Sequence, residues 1–152
     1  MRLSTGRKFV ALLALLALAP LGTGAQTPPA STLPKPVLVL RTMEYYQAGG
    51  KNFVRYKYFV ENSSAYPDSL FEAAPNLPPC GNNAKASRTW VDFYDDDGKR
   101  LYGFCALGKA ADLNEIWFAL EEGVVPPSWV YIELNDRSTN TKYKSNIAET
   151  SL

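Results

Sequence analysis

The sequence predicts an all-β protein, built as one antiparallel sandwich of about seven strands. Three observations carry this prediction. Apolar and polar residues alternate with a period of two through much of the chain, glycine- and proline-rich turns separate the alternating segments, and helical periodicity is nearly absent. The chain has 152 residues, which is the length of about one domain.

The first 25 residues have the pattern of a secretory signal peptide. A basic start with Arg2, Arg7 and Lys8 precedes an apolar run of 13 residues, Phe9–Leu21, and the small residues of 22–25 follow. The run is shorter than the roughly 20 residues that a membrane-spanning helix needs. We therefore expect cleavage after Ala25 and a secreted or periplasmic mature chain with no membrane span.

A proline-rich segment separates the signal peptide from the folded part. Residues 26–36 include four prolines among small polar residues, which suits an extended linker rather than a helix or a central strand. The predicted sandwich domain covers residues 37–148, and residues 149–152 are a predicted tail.

The strands follow in order along this domain. Val37–Met43 and the strictly alternating segment Asn52–Asn62 flank Gly49 and Gly50 and form a predicted hairpin. Asp97-Gly98 supplies the turn of a second hairpin. Its two strands and the three that follow are predicted at Thr89–Tyr94, Arg100–Leu107, Leu113–Leu120, Trp129–Asn135 and Thr141–Ile147.

The two cysteines of the chain, Cys80 and Cys105, are expected to form a disulfide. An even pair in an exported protein favours a bridge over two free thiols. The bridge would stabilise the fold by roughly 3 kcal/mol if its geometry is unstrained. There is neither a C-x-x-C redox pair nor a four-ligand zinc set, so a structural role is expected.

The strand pattern resembles the fibronectin type III and immunoglobulin-like sandwiches over about residues 37–148. The resemblance rests on seven short strands, a tryptophan in the third, and a late segment with Leu120, Gly123, Pro126, Pro127 and Tyr131. It implies an immunoglobulin-like antiparallel β-sandwich of about seven strands with one disulfide. A fold resemblance of this kind implies no activity.

Composition excludes several classes of function. The sequence has no histidine. Because histidine is the commonest general base and metal ligand, its absence argues against most hydrolases and metalloenzymes. Without residues 1–25 the chain has 13 basic and 15 acidic residues, a net charge of −2, which argues against nucleic acid as a partner. We expect no cofactor and no metal.

The strand alternation places an aromatic row on the outside of the predicted sandwich. The residues expected in the core are Val91, Phe93, Ile116, Phe118, Val130, Ile132 and Leu134. The aromatic residues expected to face outward are Trp90, Tyr94, Trp117, Trp129 and Tyr131, with the carboxylates Asp92, Glu115 and Glu133 among them. Such rings suit stacking on sugars or anchoring a partner protein, and the alternative is cross-strand packing within the sheet.

Two further segments are candidates for function. The proline-rich stretch Ser63–Arg88 is long for a loop, and a bridge from Cys80 would order it as part of a recognition surface or as a cover over a sheet edge. The run Asp95-Asp96-Asp97-Gly98 could hold Ca²⁺, but it lacks the spacing of a calcium loop, and a hairpin turn explains it.

These observations favour a binding module without catalysis. A glycosidase could pair two of the three outward carboxylates, yet no cleft is implied on a sheet face. The predicted partner is a protein or a polysaccharide, bound by the aromatic row and the disulfide-tethered loop. Two alternatives are a subunit of a cell-envelope assembly that associates by strand-edge pairing, and a secreted hydrolase inhibitor that presents the loop.

Overall fold

The computed structural model describes residues 33–82 and 85–151, so the predicted signal peptide and most of the predicted linker lie outside the described residues. Within those ranges the chain is nearly all-β, as predicted, with two antiparallel sheets and one disulfide. The strands are β1 (Leu38–Ala48), β2 (Lys51–Val60), β3 (Thr89–Asp95), β4 (Arg100–Phe104), β5 (Ile116–Glu121), β6 (Trp129–Asp136), β7 (Thr141–Lys144) and β8 (Ala148–Glu149).

The two sheets exchange strands along the sequence. The smaller sheet has the order β1-β2-β5, and the larger has the order β4-β3-β6-β7, with β8 also pairing with β6. Two hairpins, β1-β2 and β3-β4, begin the sheets, and β5 and β6 then return to pair with β2 and β3. Such returns are the Greek-key connections of β-sandwiches.

The first hairpin turns where the sequence predicts it. Gly49 and Gly50 have φ values of +58° and +76°, the left-handed conformation that a two-residue turn requires at both positions. Ala48 and Lys51 on either side are cross-strand partners. The absence of a Cβ at two successive positions therefore fixes the register of the longest pair of strands.

Several predicted boundaries differ from the structure, and the first strand, expected to end at Met43, continues to Ala48. The start of the fifth strand at Leu113 was wrong, because residues Ala110–Glu115 form a 3-10 helix, in which the Asp112 carboxylate accepts the N–H groups of Gly108 and Lys109 at 2.7 and 3.1 Å. The fourth strand ends at Phe104, before the disulfide. The predicted seventh strand divides into β7 and β8.

Both ends of the predicted domain are more ordered than expected. Leu33 of the predicted linker packs against the core, and the backbone carbonyl of Pro34 accepts a hydrogen bond of 2.6 Å from the Tyr66 hydroxyl. In the predicted tail, Glu149 of β8 pairs with Trp129 of β6. The buried Thr150 donates its hydroxyl hydrogen to the Pro127 carbonyl. The packed unit therefore extends beyond 37–148 on both sides.

The described residues of the long segment Ser63–Arg88 fold against the sandwich as a cover. Its side chains Leu70 and Phe71 are buried in the core, and Ala73 forms an isolated bridge with Ser87. The disulfide Cys80–Cys105 joins it to the end of β4, with the Cα atoms 6.2 Å apart, which confirms the predicted bridge. No helix in the described residues is long and apolar enough to cross a bilayer.

A buried ion pair joins this cover to the end of β6. The Arg88 guanidinium donates to both carboxylate oxygens of Asp136 at 2.8 and 2.5 Å, and Ser138 and Thr139 donate to the same carboxylate. Burial by itself would raise the pKa of Asp136, but the hydrogen bonds from Arg88, Ser138 and Thr139 outweigh it and hold that pKa well below its ordinary value.

We predict that Asp136→Asn destabilises the protein by about 2 to 3 kcal/mol at neutral pH, because the Arg88 charge loses its partner. A carboxyl with a lowered folded pKa stabilises the native state above its unfolded pKa of 3.8, and this stability is lost as the pH falls further. The difference in free energy of unfolding between wild type and variant, measured by urea unfolding across pH, should therefore become smaller below pH 3.8. The exposed Asp96→Asn in the second hairpin is the control, and a gap constant with pH would contradict the prediction.

Candidate functional site

The predicted inward and outward faces are those of the structure. All seven residues predicted for the core are at most 1% exposed. The five aromatic residues predicted for binding occupy the opposite positions of their strands, but they do not form one row. Trp90, Tyr94, Trp129 and Tyr131 belong to the larger sheet, and Trp117 belongs to β5 of the smaller sheet.

Trp90 lies beneath an arginine. The guanidinium carbon of Arg137 is 4.3 Å from the centre of the Trp90 ring, and Arg137 is held there by the backbone carbonyls of Pro78 and Ser87, at 2.5 and 3.0 Å. The indole nitrogen of Trp90 is buried and has no hydrogen-bond partner in the described part of the chain. Trp90 thus anchors the cover segment to the sheet, and its ring face is occupied.

Tyr94 and Tyr131 stack on each other across β3 and β6. Their ring centres are 5.2 Å apart, and the Lys144 ammonium lies 3.7 Å from the centre of the Tyr131 ring. Burial, followed by the nearby negative charges of Asp92 and Glu133, raises the pKa of Tyr94. Its hydroxyl therefore stays protonated at neutral pH, and the pair acts as a cross-strand contact that stabilises the sheet.

The two carboxylates of this face are paired with cations. Asp92 and Glu133 are cross-strand partners, a placement that would be repulsive without compensation. The Arg100 guanidinium donates to Asp92 at 2.7 Å and the Lys142 ammonium donates to Glu133 at 3.2 Å. Both carboxylates are therefore held in ion pairs. The third, Glu115, lies at the end of the 3-10 helix before β5.

Trp117 is enclosed in a stack that runs across four strands. The Arg55 guanidinium of β2 lies 4.5 Å from the centre of the Trp117 ring and 4.4 Å from that of Tyr46 in β1. Tyr102 of β4 stacks on the same indole at 5.3 Å, with ring planes 20° apart. Because β2 and β4 approach β5 from different sides, we conclude that Trp117 has little free ring face for a ligand.

Trp129 differs from the other four. It is 39% exposed, and no ring or cation contacts it in residues 33–82 and 85–151. It begins β6, directly after an apolar segment in which Val125 is 87% exposed. Together with Pro126, Pro127 and Glu149 these residues line a shallow groove of about 380 Å³. We call this surface the Trp129 groove.

The aspartate-rich run forms the turn of the second hairpin. The Asp95 carboxylate accepts the Lys99 N–H at 2.7 Å, and Gly98 has a φ of +77°. Both features belong to a tight hairpin turn. In the described residues no group of three or more acidic or cysteine side chains is placed to hold a metal ion.

Comparisons of the chain with protein families, with curated proteins and with solved structures found no match.

Sequence reasoning missed the cations that lie over these rings. Alternation places Arg55 on the outer face of β2, but its position between Tyr46 and Trp117 depends on the pairing of three strands. Arg137 follows β6 in a turn, where no periodicity predicts its direction. The available signal was composition, since arginines close to aromatic residues in a sheet protein often form cation–π pairs.

We predict that Trp117→Ala lowers the free energy of unfolding by about 2 kcal/mol, because it removes a half-buried ring held by Arg55 and Tyr102. Trp129→Ala should lower it by less than about 1 kcal/mol, since that side chain has few partners to lose. Urea unfolding of both variants tests this. Equal losses in the two variants, or a larger loss for Trp129→Ala, would show that the assignment of packed and free rings is wrong.

Proposed function

We propose that this protein is an exported, non-catalytic binding module that recognises a macromolecular partner through the Trp129 groove. One observation carries the proposal: Trp129 alone among the five predicted contact residues has no internal ring or cation partner in the described chain, and it adjoins the exposed Val125. Tryptophan is one of the residue types most enriched at interface hot spots.

Export is supported by two features of the chain. The first 25 residues have the signal-peptide pattern, and the disulfide Cys80–Cys105 is compatible with an oxidising compartment. The Greek-key exchange between the sheets supports the further proposal that the domain is of the immunoglobulin-like or fibronectin type III-like kind.

The chemistry of the groove favours a protein over a glycan. Val125, Pro126 and Pro127 contribute apolar surface next to the indole. The polar lining is Glu149 with the hydroxyls of Ser128, Thr150 and Ser151, and the Thr150 hydroxyl is already bonded to the Pro127 carbonyl. Sugars bind where a ring face and several hydrogen-bonding side chains converge, whereas a protein anchor needs an apolar contact with a polar rim. A proline-rich lining beside an indole satisfies the second description.

We predict that Trp129→Ala weakens binding of the natural partner by about 30-fold, equivalent to about 2 kcal/mol at a hot spot. The mature chain would be used as bait in an extract of its native compartment, and the affinity for each captured protein measured with the purified pair. The control is Tyr45→Ala, which removes a ring that is 76% exposed on β1. A partner that binds both variants and the wild type equally would contradict the proposal, as would glycan-array binding that Trp129→Ala abolishes.

A second candidate function is self-association along an open strand edge. β1 pairs with β2 on one side only, and Met43 and Tyr45 on this strand are exposed. An unpaired edge with apolar side chains can accept a further strand. Concentration-dependent association in sedimentation, removed by a proline at Glu44, would favour the assembly subunit over the monomeric binding module.

A further inference from the structure

Two arginines of the described chain have no oxygen partner, and both line the same cleft. Five arginines lie in residues 33–82 and 85–151. Arg88 and Arg100 each bind an aspartate, and Arg137 binds two backbone carbonyls. The side chains of Arg41 and Arg55 make no hydrogen bond or ion pair within these ranges. The two line a cleft of about 330 Å³ on the outer face of the β1-β2-β5 sheet.

Arg55 is held in place without an acceptor. Its guanidinium lies between the rings of Tyr46 and Trp117, at 4.4 and 4.5 Å, and its Nε atom is buried and unbonded in the described residues. A side chain ordered in this way loses little further entropy when it binds a ligand. A planar guanidinium matches a carboxylate, which can accept two parallel hydrogen bonds.

Arg41 supplies the second unpaired cation. It lies at the bulge between Leu40 and Thr42, and its guanidinium carbon is 5.0 Å from the centre of the Phe59 ring. The third cation of the lining, Lys57, is neutralised by Glu44 at 2.7 Å. The two arginines therefore provide the positive charge that is open to a ligand.

The remaining lining shows what kind of anion fits. Three cations and two carboxylates, Glu44 and Glu115, give the cleft a net charge of one positive. Thr42 adds a hydroxyl, and Asn114, whose carboxamide oxygen accepts the Ser63 hydroxyl at 3.0 Å, adds its NH2 group. Glu115 has no partner in the described chain. A carboxylate can accept hydrogen bonds from ligand hydroxyls. The ligand that complements this lining carries a single negative charge and several hydroxyl groups.

We propose that this cleft binds a small hydroxylated carboxylate of the sugar-acid type, with its carboxylate on the planar guanidinium of Arg55 and its hydroxyls toward Glu115, Thr42 and Asn114. Arg41 supplies the second positive charge of the lining. The site is separate from the Trp129 groove, which lies on the other sheet. Binding at the cleft is therefore independent of the proposed function. A phosphate dianion carries more charge than the lining neutralises and would adjoin Glu115. A neutral sugar leaves both guanidinium groups unpaired.

The test is an NMR titration of the protein with D-glucuronate, followed through the Trp117 indole N–H and the backbone amides of β2 and β5. D-glucose, inorganic phosphate and glycine are titrated in parallel as the neutral, dianionic and zwitterionic probes. We expect glucuronate to shift these signals with an affinity at least about tenfold higher than that of any of the other three, as a paired guanidinium–carboxylate contact provides.

Two variants and a control complete the experiment. Arg41→Gln removes an exposed charge without disturbing the ring stack, and Arg55→Lys keeps the charge but loses the planar fork. Each should weaken glucuronate binding at least about tenfold, while Lys99→Gln in the hairpin of the other sheet should leave it unchanged. Absence of shifts at the cleft, equal binding of glucose, or tighter binding of phosphate or glycine would each overturn the proposal, as would full binding by Arg41→Gln.

Discussion

Three aromatic rings from three strands meet between the sheets. Tyr58 of β2, Phe93 of β3 and Phe118 of β5 pack at centroid distances of 5.4 to 6.0 Å and are at most 1% exposed. Rings of this size each bury about 150 to 250 Å², so their contact joins the smaller sheet to the larger one. Because side chains alternate along a strand, this inner contact also decides which residues lie outside.

The inner ring contact fixes which side chains lie on the outer faces of the sheets, and cations stabilise the aromatic rings there. Trp117 and Trp90 each lie next to an arginine, and Tyr131 lies next to a lysine. Aromatic residues on an exposed sheet would ordinarily suggest a binding row, but here four of the five predicted ones are partners of cations or of other rings. Of the five, only the indole of Trp129 at the start of β6 has no such partner in the described residues. On the other sheet, the side chains of Arg41 and Arg55 have no oxygen partner there.

Much of the fold could be predicted from the sequence because the signals were local. The alternation of Val54, Tyr56, Tyr58 and Val60, the Gly49-Gly50 turn and the even cysteine pair each depend on neighbouring residues or on the compartment. The 3-10 helix at Ala110–Glu115 could not be predicted, since Leu113 and Ile116 suit a strand equally well. The helix is stabilised by the Asp112 carboxylate, which accepts the N–H groups of Gly108 and Lys109. The candidate site depended on which strands lie side by side, so alternation alone wrongly joined Trp117 to the residues of the other sheet.

Trp129 is exposed without a ring or cation partner in the described residues, whereas Trp90 and Trp117 are contacted by their neighbours. Acrylamide quenching of fluorescence in three variants, each retaining one tryptophan with phenylalanine at the other two positions, tests it most directly. We expect the Trp129-only variant to have the most red-shifted emission and a quenching constant at least about twice that of either other variant, in line with its larger exposure. Equal quenching of all three tryptophans, or stronger quenching of Trp117, would contradict it.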